Sequence, residues 1–466
     1  MVRGVDHNKI MAMISVEDIV KATGGAVLCG GQQTFTGLSI DSRNIGSGEL
    51  FVALRGERFD GHDFVHDALR KGSGALVSAP PEGTGREKTV ICVKDTLKAL
   101  HDIARYRRSK KTVPVVSVTG TNGKTTTKEL IASILTQNHR VLKTSGNFNN
   151  HIGLPLCVSN MEGDEEFMVL EMGSNARGDI KELCEIVRPD IAVVTNVGQA
   201  HLEGFGSIET VRDTDLEVLG YIKTVSLNAD DRFLMEGIND FRGRVITYGM
   251  ENKADVCAKD ISLNEQGSRF LLTTPEKGEI EVRLRVSGRF NVLNALAAAS
   301  IACELGISLE EVRTGLEVFT GVPMRLEIRT FSGALVINDV YNANPASMEV
   351  ALRELIRLKK QRTVAVLGDM LELGPYSEEA HRNLVKKVSD LRIDILIAVG
   401  PEMQKASAGF SGKAYQAASS VEARSLLLGT VKEGDTVLIK GSRGMRMEQV
   451  VAGEESTAVM EGGNDL

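Results

Sequence analysis

A lysine and a threonine behind a glycine-rich turn are the residues of this chain whose types and spacing most clearly suggest chemistry. The segment VPVVSVTGTNGKTTTKE holds Gly123, Lys124 and Thr125 shortly after an apolar run. Glycine lets the backbone approach phosphate, a lysine ammonium can meet terminal phosphates, and a threonine hydroxyl can ligate Mg²⁺. The segment therefore predicts a loop that binds a triphosphate.

The spacing differs from the general Gly-x-x-x-x-Gly-Lys-Ser/Thr motif. Val118 stands five residues before Gly123, and the first glycine of the turn is Gly120. A Gly-Lys-Thr tripeptide also arises by chance, and it would then only cap a turn between a strand and a helix. We favour the phosphate-binding interpretation because residues 115–118 fit a buried strand, while the apolar residues of 130–135 recur at helical spacing.

Two further polar side chains follow predicted strands. Glu171 comes directly after the apolar run FMVL, and His201 lies in a glycine-rich loop after residues 191–195. Functional side chains of open α/β sheets gather at such strand ends. Glu171 offers the hard oxygen ligands that Mg²⁺ prefers. His201 could ligate a second metal or contact phosphate, although a single loop histidine is more often structural.

Four more residues could contribute to a nucleotide site. Asn291 and Asn294 open an alanine-rich helix, whereas Arg325 and Asp339 follow a change in the chain pattern and could reach back toward the nucleotide. An arginine supplied across a cleft stabilises charge on a transferring phosphoryl group. Helix capping for the asparagines and an interdomain salt bridge for the charged residues are the open alternatives.

The elements that must position these residues alternate along the chain as strands and helices, which predicts an α/β fold with three domains. The domains are expected at residues 1–112, 113–321 and 322–466, with a solvated linker at the basic run RYRRSKKT. The central domain would hold the phosphate-binding sheet, and the last would be a doubly wound, Rossmann-like sheet. The predicted strands are residues 50–54, 75–78, 115–118, 167–170, 191–195, 334–337, 363–367, 395–399 and 436–439, and the predicted helices include 63–71, 347–359 and 378–388.

Composition narrows the class of protein. Hydrophobic residues make up 42% and charged residues 25% of 466 residues, which is typical of a soluble globular protein without a membrane span. The N-terminus lacks the pattern of a signal peptide, so we expect a cytoplasmic protein. The net charge of −7 argues against a nucleic-acid groove. The six cysteines form no CxxC pair, and we expect reduced thiols.

Taken together, several segments closely resemble the Mur ligases, which build the stem peptide of peptidoglycan. The resemblance covers most of the chain and rests on GTNGKTTTKE, VLEMGSNARGDI, TNVGQAHLEGFGS, NVLNALAAAS, Arg325, DVYNANPASM and LGDMLELGPYSEEAH. Within the family, YNANPASM and LGDMLELG resemble the member that joins D-alanyl-D-alanine to UDP-N-acetylmuramoyl-tripeptide. The Asp-Asn-Pro-Arg signature of the member that adds diaminopimelate is not found in this sequence.

The resemblance implies ATP-dependent amide synthesis through an acyl phosphate, with ATP and Mg²⁺ as cofactors. It implies an N-terminal domain for the UDP end of the substrate, a central ATPase domain and a C-terminal domain that closes on them. The implied partners are small molecules, with no nucleic acid and no membrane, and the implied state is a monomer. The third residue of the acceptor stem, lysine or diaminopimelate, stays open.

The resemblance also assigns roles to single residues. Lys124, Glu171, His201 and Arg325 are the implied catalytic residues. The implied ATP-binding residues are Gly120, Thr121, Asn122, Gly123, Lys124, Thr125, Thr126, Asn291, Asn294, Arg325 and Asp339. The implied metal ligands are Thr125, Glu171, His201 and, in place of a family lysine, Asp215. The implied substrate-facing residues are Ser39, Asp41, Ser42, Arg43, Asn147, Asn149, Asn150, Asn342 and Asn344.

The chain departs from the family pattern at three positions. Asp215 stands where the family usually has a carbamylated lysine that bridges metals, and Phe290 and Ala176 stand where histidines are frequent. A carbamate and a carboxylate both offer anionic oxygens, but the aspartate side chain is several bonds shorter. Asp215 therefore approaches the metal directly or through water, or the second metal is held differently.

Two other functions compete with this interpretation. One is another amide ligase of the superfamily, such as a ligase of a different stem-peptide step or a folylpolyglutamate synthase, and the segment YNANPASM argues against it. The other is a non-catalytic protein that binds nucleotide, which the missing lysine favours. The intact set of Lys124, Glu171 and His201 argues against a non-catalytic protein, which has no chemical need for all three.

Overall fold

The computed structural model describes residues 13–56, 58–82 and 87–452 of the chain. Residues 1–12, which carry most of the N-terminal stretch considered for a signal peptide, lie outside the described residues. The end of the third predicted domain, residues 453–466, also lies outside them.

The first part of the chain forms a small mixed sheet with flanking helices. Its elements are β1 (Ile14–Ser15), α1 (Val16–Thr23), β2 (Ala26–Cys29), β3 (Thr34–Phe35), β4 (Gly37–Ser39), β5 (Glu49–Val52), α2 (Val65–Lys71), β6 (Gly74–Val77), β7 (Thr89–Cys92) and α3 (Thr96–Ser109). The strand order is β2-β7-β6-β5-β4, and β1 pairs with β3. Strands β4 to β7 run parallel, whereas β2 is antiparallel to β7.

The basic run RYRRSKKT differs from the solvated linker that the sequence predicts. Helix α3 continues through this run to Ser109. Arg108 Nε donates to the carbonyl of Val187 at 2.8 Å, and Arg107 donates to the carbonyl of Met161. These guanidinium groups are half-buried because they bond carbonyl oxygens of the next part of the chain.

The central part of the chain is built on one long sheet. Its elements are β8 (Val115–Thr119), α4 (Lys124–Leu135), β9 (Val141–Lys143), α5 (Gly153–Ser159), β10 (Phe167–Glu171), α6 (Asp179–Val187), β11 (Ile191–Val194), α7 (Leu202–Phe205), α8 (Ile208–Asp215), β12 (Thr224–Asn228), α9 (Arg232–Met235), β13 (Arg244–Gly249), β14 (Val256–Leu263), β15 (Ser268–Thr274), β16 (Gly278–Leu284), α10 (Arg289–Glu304) and α11 (Leu309–Val318). The strand order is β16-β15-β14-β13-β12-β11-β8-β10-β9. Strands β8 to β14 run parallel to one another, and β15 and β16 extend the sheet beyond β14 as antiparallel strands.

Strand β8 lies inside this sheet, between β10 and β11. All of its residues are buried, which explains why its sequence, VVSVT, is mainly apolar and β-branched and does not alternate with charged residues. Val116 and Val118 pack with α4 and α10 on one face, and Val115 packs with β10 and α6 on the other. The carboxyl ends of β8, β10 and β11 meet at one edge because Glu171 pairs with Val118 and Val194 with Thr119.

The last part of the chain is a second, mostly parallel sheet. Its elements are β17 (Glu327–Phe331), β18 (Ala334–Asp339), α12 (Pro345–Arg357), β19 (Thr363–Gly368), α13 (Ser377–Asp390), β20 (Ile395–Val399), α14 (Pro401–Ser407), β21 (Lys413–Ala417), α15 (Ser420–Leu428) and β22 (Thr436–Lys440). The strand order is β17-β18-β22-β19-β20-β21, with only β17 antiparallel within the described sheet. Apolar clusters cover both faces of this sheet, as a doubly wound fold requires. The predicted α/β class is confirmed.

Short 3₁₀ helices complete the described structure. They are Gly61–Phe64, Leu216–Gly220, Glu236–Ile238, Gly374–Tyr376, Arg443–Met445 and Met447–Val451. Within the described ranges, no helix combines the length and the apolar character that a membrane crossing requires.

Candidate active site

At two positions in the turn between β8 and α4, the backbone has a conformation that only glycine adopts without strain. Gly120 has φ 114° and Gly123 has φ 83°. A Cβ at Gly120 would collide with Thr195, and one at Gly123 would collide with the Asn294 amide. Gly123 is the N-cap of α4 and has no side chain to offer the first-turn N–H groups. These donors are therefore available to an anion.

We call residues 120–125, from the turn after β8 into the first turn of α4, the phosphate loop. Asn196, which the sequence analysis did not single out, holds this loop in place. Thr121 N donates to Asn196 O at 2.8 Å, and Asn122 N donates to Asn196 Oδ1 at 3.1 Å. Asn196 Nδ2 in turn donates to Asn122 O at 2.8 Å. The signal that could have identified Asn196 is its place directly after the predicted strand at residues 191–195, next to Thr195. The loop is thus preorganised by the end of β11.

The ammonium of Lys124 folds back over the loop that precedes it. It donates to the carbonyl oxygens of Gly120 and Thr121, the latter at 3.0 Å. Burial lowers the pKa of Lys124 below the ordinary lysine value, although the carboxylates of Asp215 and Glu171 oppose this shift. The two loop carbonyls carry no net charge, whereas a bound phosphate would give this cation an anionic partner.

Glu171, at the end of β10, carries a buried oxygen that has no hydrogen-bond partner. The residue is 2% exposed, and its Oε1 accepts a hydrogen bond from Asn149 Nδ2 at 2.9 Å. Its Oε2 is buried and unpaired within the described structure, with Lys128 Nζ 3.9 Å away. An unpaired buried carboxylate oxygen is costly unless a further ligand meets it. This observation fits a cation such as Mg²⁺ at Oε2.

Lys128 is a second residue that the sequence analysis missed. Its side chain is fully buried, donates to Thr144 O at 2.6 Å and lies 3.0 Å from Glu129 Oε1. Thr144 Oγ1 accepts the backbone N–H of Glu171 at 2.9 Å, so both residues converge on the same loop. Lys128 follows Lys124 by one helical turn, and that spacing was the available signal.

His201 lies at the start of α7 and contacts the last part of the chain. Its Nδ1 lies 2.5 Å from Glu372 Oε2. Across the part of the chain that the structure describes, no group of three or more His, Cys, Asp or Glu side chains is arranged to hold a metal ion. Glu171, His201 and Asp215 therefore do not form such a cluster.

Asp215, the position of the family lysine, lies against the base of the phosphate loop. It is 2% exposed, and its Oδ1 accepts a hydrogen bond from Thr119 Oγ1 at 2.9 Å. The backbone N–H of Gly120 and the hydroxyl of Ser174 also donate to this carboxylate. Burial raises the pKa of Asp215, while the nearby Lys124 ammonium and these donors lower it. Asp215 thus lies at the base of the loop, where its carboxyl group interacts electrostatically with the Lys124 ammonium.

The two asparagines of α10 occupy different positions. Asn294 Oδ1 accepts from Thr127 Oγ1 at 3.4 Å, and its amide packs against Gly123. Asn291 Nδ2 donates to Ser287 O at 2.8 Å. Asn294 therefore borders the phosphate loop together with the first turn of α4, which also carries Thr126.

Arg325 reaches the phosphate loop from the last part of the chain. Its Nη2 donates to Thr125 Oγ1 at 3.3 Å, and its guanidinium lies 3.8 Å from the centre of the Tyr341 ring. Its Nε is buried without a hydrogen-bond partner in the described structure. The aromatic ring orients a cation whose remaining N–H groups can donate to a phosphate oxygen. Tyr341 was not identified from the sequence, although it lies in the DVYNANPASM segment.

Asp339 is paired with a buried lysine. Lys440 Nζ lies 2.6 Å from Asp339 Oδ2, and the two side chains are 3% and 8% exposed. Asp339 Oδ1 also accepts from Leu326 N at 3.1 Å, next to Arg325. Burial lowers the pKa of Lys440, opposed by the charge of Asp339. Asp339 therefore fixes the backbone that carries Arg325.

The segment after β18 also contacts the phosphate loop. Asn344, the N-cap of α12, donates from Nδ2 to Asn122 Oδ1 at 2.9 Å. The carbonyl of Asn342 accepts from Lys440 Nζ at 2.9 Å. Asn344 thus lies at the loop that was predicted to bind ATP, although it was expected to face the other substrate.

The remaining predicted substrate residues lie in two other turns. In the turn at 147–150, Asn149 contacts Glu171, Asn150 Oδ1 accepts from the N–H of Gly153 at 2.8 Å, and Asn147 is exposed. The structure therefore joins one of these three asparagines to Glu171 directly. Asn150 instead organises the start of α5.

The turn after β4 is held together by Asp41. Arg43 donates to Asp41 from its backbone N, Nε and Nη2, each at 2.9 Å. These bonds, the side-chain bond first, lower the pKa of Asp41 to about 2. Ser39 Oγ accepts from Asp41 N at 3.3 Å, and Lys71 Nζ donates to Ser42 O at 3.3 Å. The four predicted residues thus form one preorganised turn.

Chemically, the edge of the central sheet combines an anion-binding loop with cations from two sides. Lys124 lies on the loop itself, and Arg325 approaches Thr125 from the second sheet. Glu171 supplies an unpaired buried oxygen at the same edge. This arrangement can bind a polyphosphate and stabilise charge on a transferring phosphoryl group.

Comparison with protein-family models gives three matches. The Mur ligase family catalytic domain matches residues 34–108, the Mur ligase middle domain matches 118–302, and the Mur ligase glutamate ligase domain matches 324–443. Among curated relatives, the UDP-N-acetylmuramoyl-tripeptide–D-alanyl-D-alanine ligase of Bacillus subtilis (strain 168) is 38% identical over 90% of this chain and 93% of its own. The enzyme of the same name from Escherichia coli (strain K12) is 35% identical over 91% and 94%.

Solved structures agree with these sequence relatives. A crystal structure of MurF from Acinetobacter baumannii has a TM-score of 0.87 at 33% identity and covers 95% of this chain and 99% of that chain. MurF ligase from Thermotoga maritima in complex with ADP has a TM-score of 0.78 at 32% identity, covering 89% and 96%. With family models along most of its length and relatives at this identity, the chain belongs to the Mur ligase family.

Proposed function

We propose that this chain is the ATP-dependent ligase that joins D-alanyl-D-alanine to UDP-N-acetylmuramoyl-tripeptide in peptidoglycan precursor synthesis. The observation that carries the proposal is the contact of Arg325 with Thr125, which brings a cation of the second sheet to the phosphate loop. Support for the substrates comes from the two relatives described above, which bear this activity in their names and align over most of the chain.

The reaction consists of two displacements. The terminal carboxylate of the tripeptide attacks the γ-phosphorus of ATP and ADP leaves, which forms an acyl phosphate. The free amine of D-alanyl-D-alanine then attacks the acyl carbon, inorganic phosphate leaves, and the amine gives up a proton. Carboxylate and triphosphate repel each other, so the first displacement needs cations at the site.

The residues of the chain meet this need in defined ways. Lys124 exchanges its loop carbonyls for phosphate oxygens, and Arg325 adds positive charge from the opposite side. The first-turn N–H groups of α4 bind phosphate oxygens, and Asn294 keeps Gly123 in its left-handed conformation by packing on it. All three contributions act on the triphosphate before either displacement begins.

Mg²⁺ fits the site through Glu171 Oε2 and the Thr125 hydroxyl. Mg²⁺ usually takes one or two protein oxygens together with water and substrate phosphates, so a cluster of three protein ligands is not required. When bound, Mg²⁺ neutralises phosphate charge. We also assign His201 and Asp215 to this site as candidate ligands.

The other predicted residues are assigned to substrate binding. The preorganised turn of Ser39, Asp41, Ser42 and Arg43 would meet the UDP end of the substrate, and the turn at 147–150 would meet the peptide end. Asn291 and Asp339 would support the nucleotide through Ser287 and Arg325, and Asn342 would support the acceptor. We propose a cytoplasmic monomer; the use of ATP as a substrate and the six free thiols support the cytoplasmic location.

The test measures ADP and phosphate release with the purified full-length chain. ATP and Mg²⁺ are combined with D-alanyl-D-alanine and with either of two UDP-tripeptides, ending in lysine or in diaminopimelate. We expect release that depends on both the dipeptide and one of the tripeptides, with a matching amide product by mass spectrometry. Release that is independent of D-alanyl-D-alanine, or no product with either tripeptide, would overturn the proposal.

A further inference from the structure

We propose that Glu372 is a positioning residue for His201, which it reaches from the second sheet of the molecule. In this arrangement the Glu372 carboxylate accepts the Nδ1–H of His201, and the lone pair of His201 Nε2 is thereby left to the metal. The inference rests on the proposed function, since it assigns a task to a residue of that site. It adds a residue that the sequence analysis did not include.

The first observation is the contact itself. His201 Nδ1 lies 2.5 Å from Glu372 Oε2, and the two residues are 171 positions apart in the chain by their numbers. A carboxylate at one ring nitrogen fixes the tautomer and the orientation of an imidazole, and it raises the basicity of the other nitrogen.

The second observation is the backbone conformation of both partners. His201 has φ 51° and Glu372 has φ 63°, in the left-handed region that non-glycine residues seldom adopt. Residues held in this region cost free energy that the surrounding structure must supply, and they cluster at functional sites. Two such residues in one contact indicate that their side-chain geometry is constrained.

The third observation is the docking of the two segments around this pair. Glu203 N donates to Glu372 O at 3.2 Å, and Tyr376 Oη donates to Gly206 O at 3.4 Å. A Cβ at Gly374 would contact Glu203. The segment 372–376 therefore lies directly on the turn that carries His201. The position of Glu372 depends on how the sheet of the last part of the chain packs against the central sheet.

The last part of the chain therefore contributes to the site on the central sheet in two ways. Arg325 contacts the phosphate loop, and Glu372 orients His201. Groups that orient metal-ligating histidines typically change metal affinity or activity by about 10- to 100-fold when removed. A merely structural ion pair on a surface would leave metal affinity unchanged, because exposed pairs contribute little.

The test compares Glu372→Ala and Glu372→Gln with the wild-type chain. The matched control is Glu378→Ala, because Glu378 has the same 61% side-chain exposure and pairs with Lys405. The first readout is the tautomer of His201 by NMR of ¹⁵N-histidine protein at about pH 8.5, well above the ordinary histidine pKa of about 6.5. The second is Mn²⁺ affinity by electron paramagnetic resonance with a non-hydrolysable ATP analogue present.

We expect the Nδ1–H tautomer in the wild type and in Glu372→Gln, whose amide oxygen still accepts the bond. In Glu372→Ala the signal should shift toward the Nε2–H form, and Mn²⁺ affinity should fall at least tenfold, while Glu378→Ala matches the wild type. Circular dichroism checks that each variant is folded, and Glu372→Gln serves as the test if Glu372→Ala does not fold. In that case a Gln variant that retains Nδ1–H but binds Mn²⁺ at least twofold more weakly, because the carboxylate charge is lost, supports the proposal, and a Gln variant with wild-type Mn²⁺ affinity overturns it.

The proposal is overturned if the wild type shows the Nε2–H tautomer. It is also overturned if Glu372→Ala, when folded, keeps either the wild-type tautomer or the wild-type Mn²⁺ affinity. Neither readout requires amide synthesis. A chain that fails to ligate D-alanyl-D-alanine would therefore overturn the proposed function without deciding the role of Glu372.

Discussion

Asn344 Nδ2 donates to Asn122 Oδ1 at 2.9 Å, so the N-cap of α12 bonds directly to the phosphate loop 222 residues earlier in the chain. Arg325 contacts Thr125 in the same loop. The last part of the chain therefore contacts the loop at two points, through the neutral amide of Asn344 and through the charged guanidinium of Arg325. Binding of a triphosphate at the loop can in this way be coupled to the packing of the two sheets.

The Asn122–Asn344 bond should contribute to ATP affinity. Asn344→Asp keeps an oxygen that can cap α12 but removes the donor to Asn122, and it adds a negative charge beside the phosphates. Loss of one hydrogen bond costs about 1 kcal/mol, so we expect KM for ATP to rise at least fivefold, with the melting temperature nearly unchanged. Steady-state kinetics and thermal melting measure both.

The control for this prediction is Asn344→Ala, which removes the cap as well. A lost cap costs about 1 kcal/mol of stability, so this variant should melt earlier than Asn344→Asp. A double-mutant cycle with Asn122→Ala isolates the bond. Effects of Asn122→Ala and Asn344→Ala on KM that add without coupling would contradict a direct contribution of this pair.

Lys124→Ala should strongly lower turnover and leave the fold intact. The ammonium contacts only loop carbonyls among the polar partners in the structure, whereas in the reaction it would stabilise charge on the transferring phosphoryl group. Transition-state contacts of this kind are worth roughly 3 to 4 kcal/mol, which corresponds to a loss of about 10²- to 10³-fold in kcat. Phosphate release and thermal melting test the two parts. A variant with near wild-type kcat would refute the role of the loop.

Much of the fold was accessible from the sequence because the relevant signals are local. The buried strands β8, β11, β19 and β20 are mainly apolar runs, and parallel sheets covered on both faces produce this pattern. The strands β14 to β16, which pair antiparallel with one another, were not predicted. Their exposed and buried residues alternate, and their pairing to the edge of a parallel sheet depends on contacts that no local pattern records.

The site was predicted in its local parts, and the residues that join those parts were missed. Lys124 and Thr125 follow from the turn chemistry, and the family and its ATP dependence follow from the motifs. Asn196 and Glu372 act on the site from other parts of the chain. The place of Asn196 after a predicted strand was a sequence signal, but the bonds of both residues to the site are visible only in the three-dimensional structure. The linker at RYRRSKKT was misjudged because a basic run is typical of a solvated segment, whereas its arginines donate to carbonyls at the ends of helices in the central part of the chain.

The buried pair of Asp339 and Lys440 should matter more for stability than any surface pair. Lys440→Met leaves the Asp339 carboxylate buried without a counter-charge, and breaking such a pair typically costs about 3–5 kcal/mol. We expect a large decrease in the urea midpoint. The double variant Asp339→Asn with Lys440→Met should recover part of the loss, because no unpaired charge is left.

The exposed pair of Glu378 and Lys405 provides the control for this prediction. Lys405→Met makes the same substitution in a pair whose side chains are 61% and 63% exposed. The urea midpoint of this variant should barely change. If Lys440→Met unfolds at the same urea concentration as Lys405→Met, the buried pair is not a determinant of stability. We expect ligase activity to fall together with stability in the Lys440 and Asp339 variants, because Asp339 accepts a hydrogen bond from the backbone N–H of Leu326, next to Arg325.

The final prediction concerns Asp215, where the chain departs from its family. No lysine carbamate can form at this position, so ligase activity should not depend on dissolved CO₂ or bicarbonate. Asp215→Asn has a similar volume and keeps an oxygen that can accept from Thr119 Oγ1, so it removes the charge while the bond can persist. If Asp215 supplies oxygen to the metal directly or through water, this variant should need more Mg²⁺, and excess Mg²⁺ should partly restore kcat.

The structure adds a second way in which this charge can act, because the Asp215 carboxylate attracts the Lys124 ammonium. A loss that acts through Lys124 would lower kcat at every Mg²⁺ concentration, whereas a loss that acts through the metal would be reversed by Mg²⁺. Asp213→Asn, on the same helix and 51% exposed, is the matched control and should behave as wild type. Unaltered kcat and Mg²⁺ response in Asp215→Asn, or activity that rises with bicarbonate, would show that this carboxylate does not replace the family carbamate.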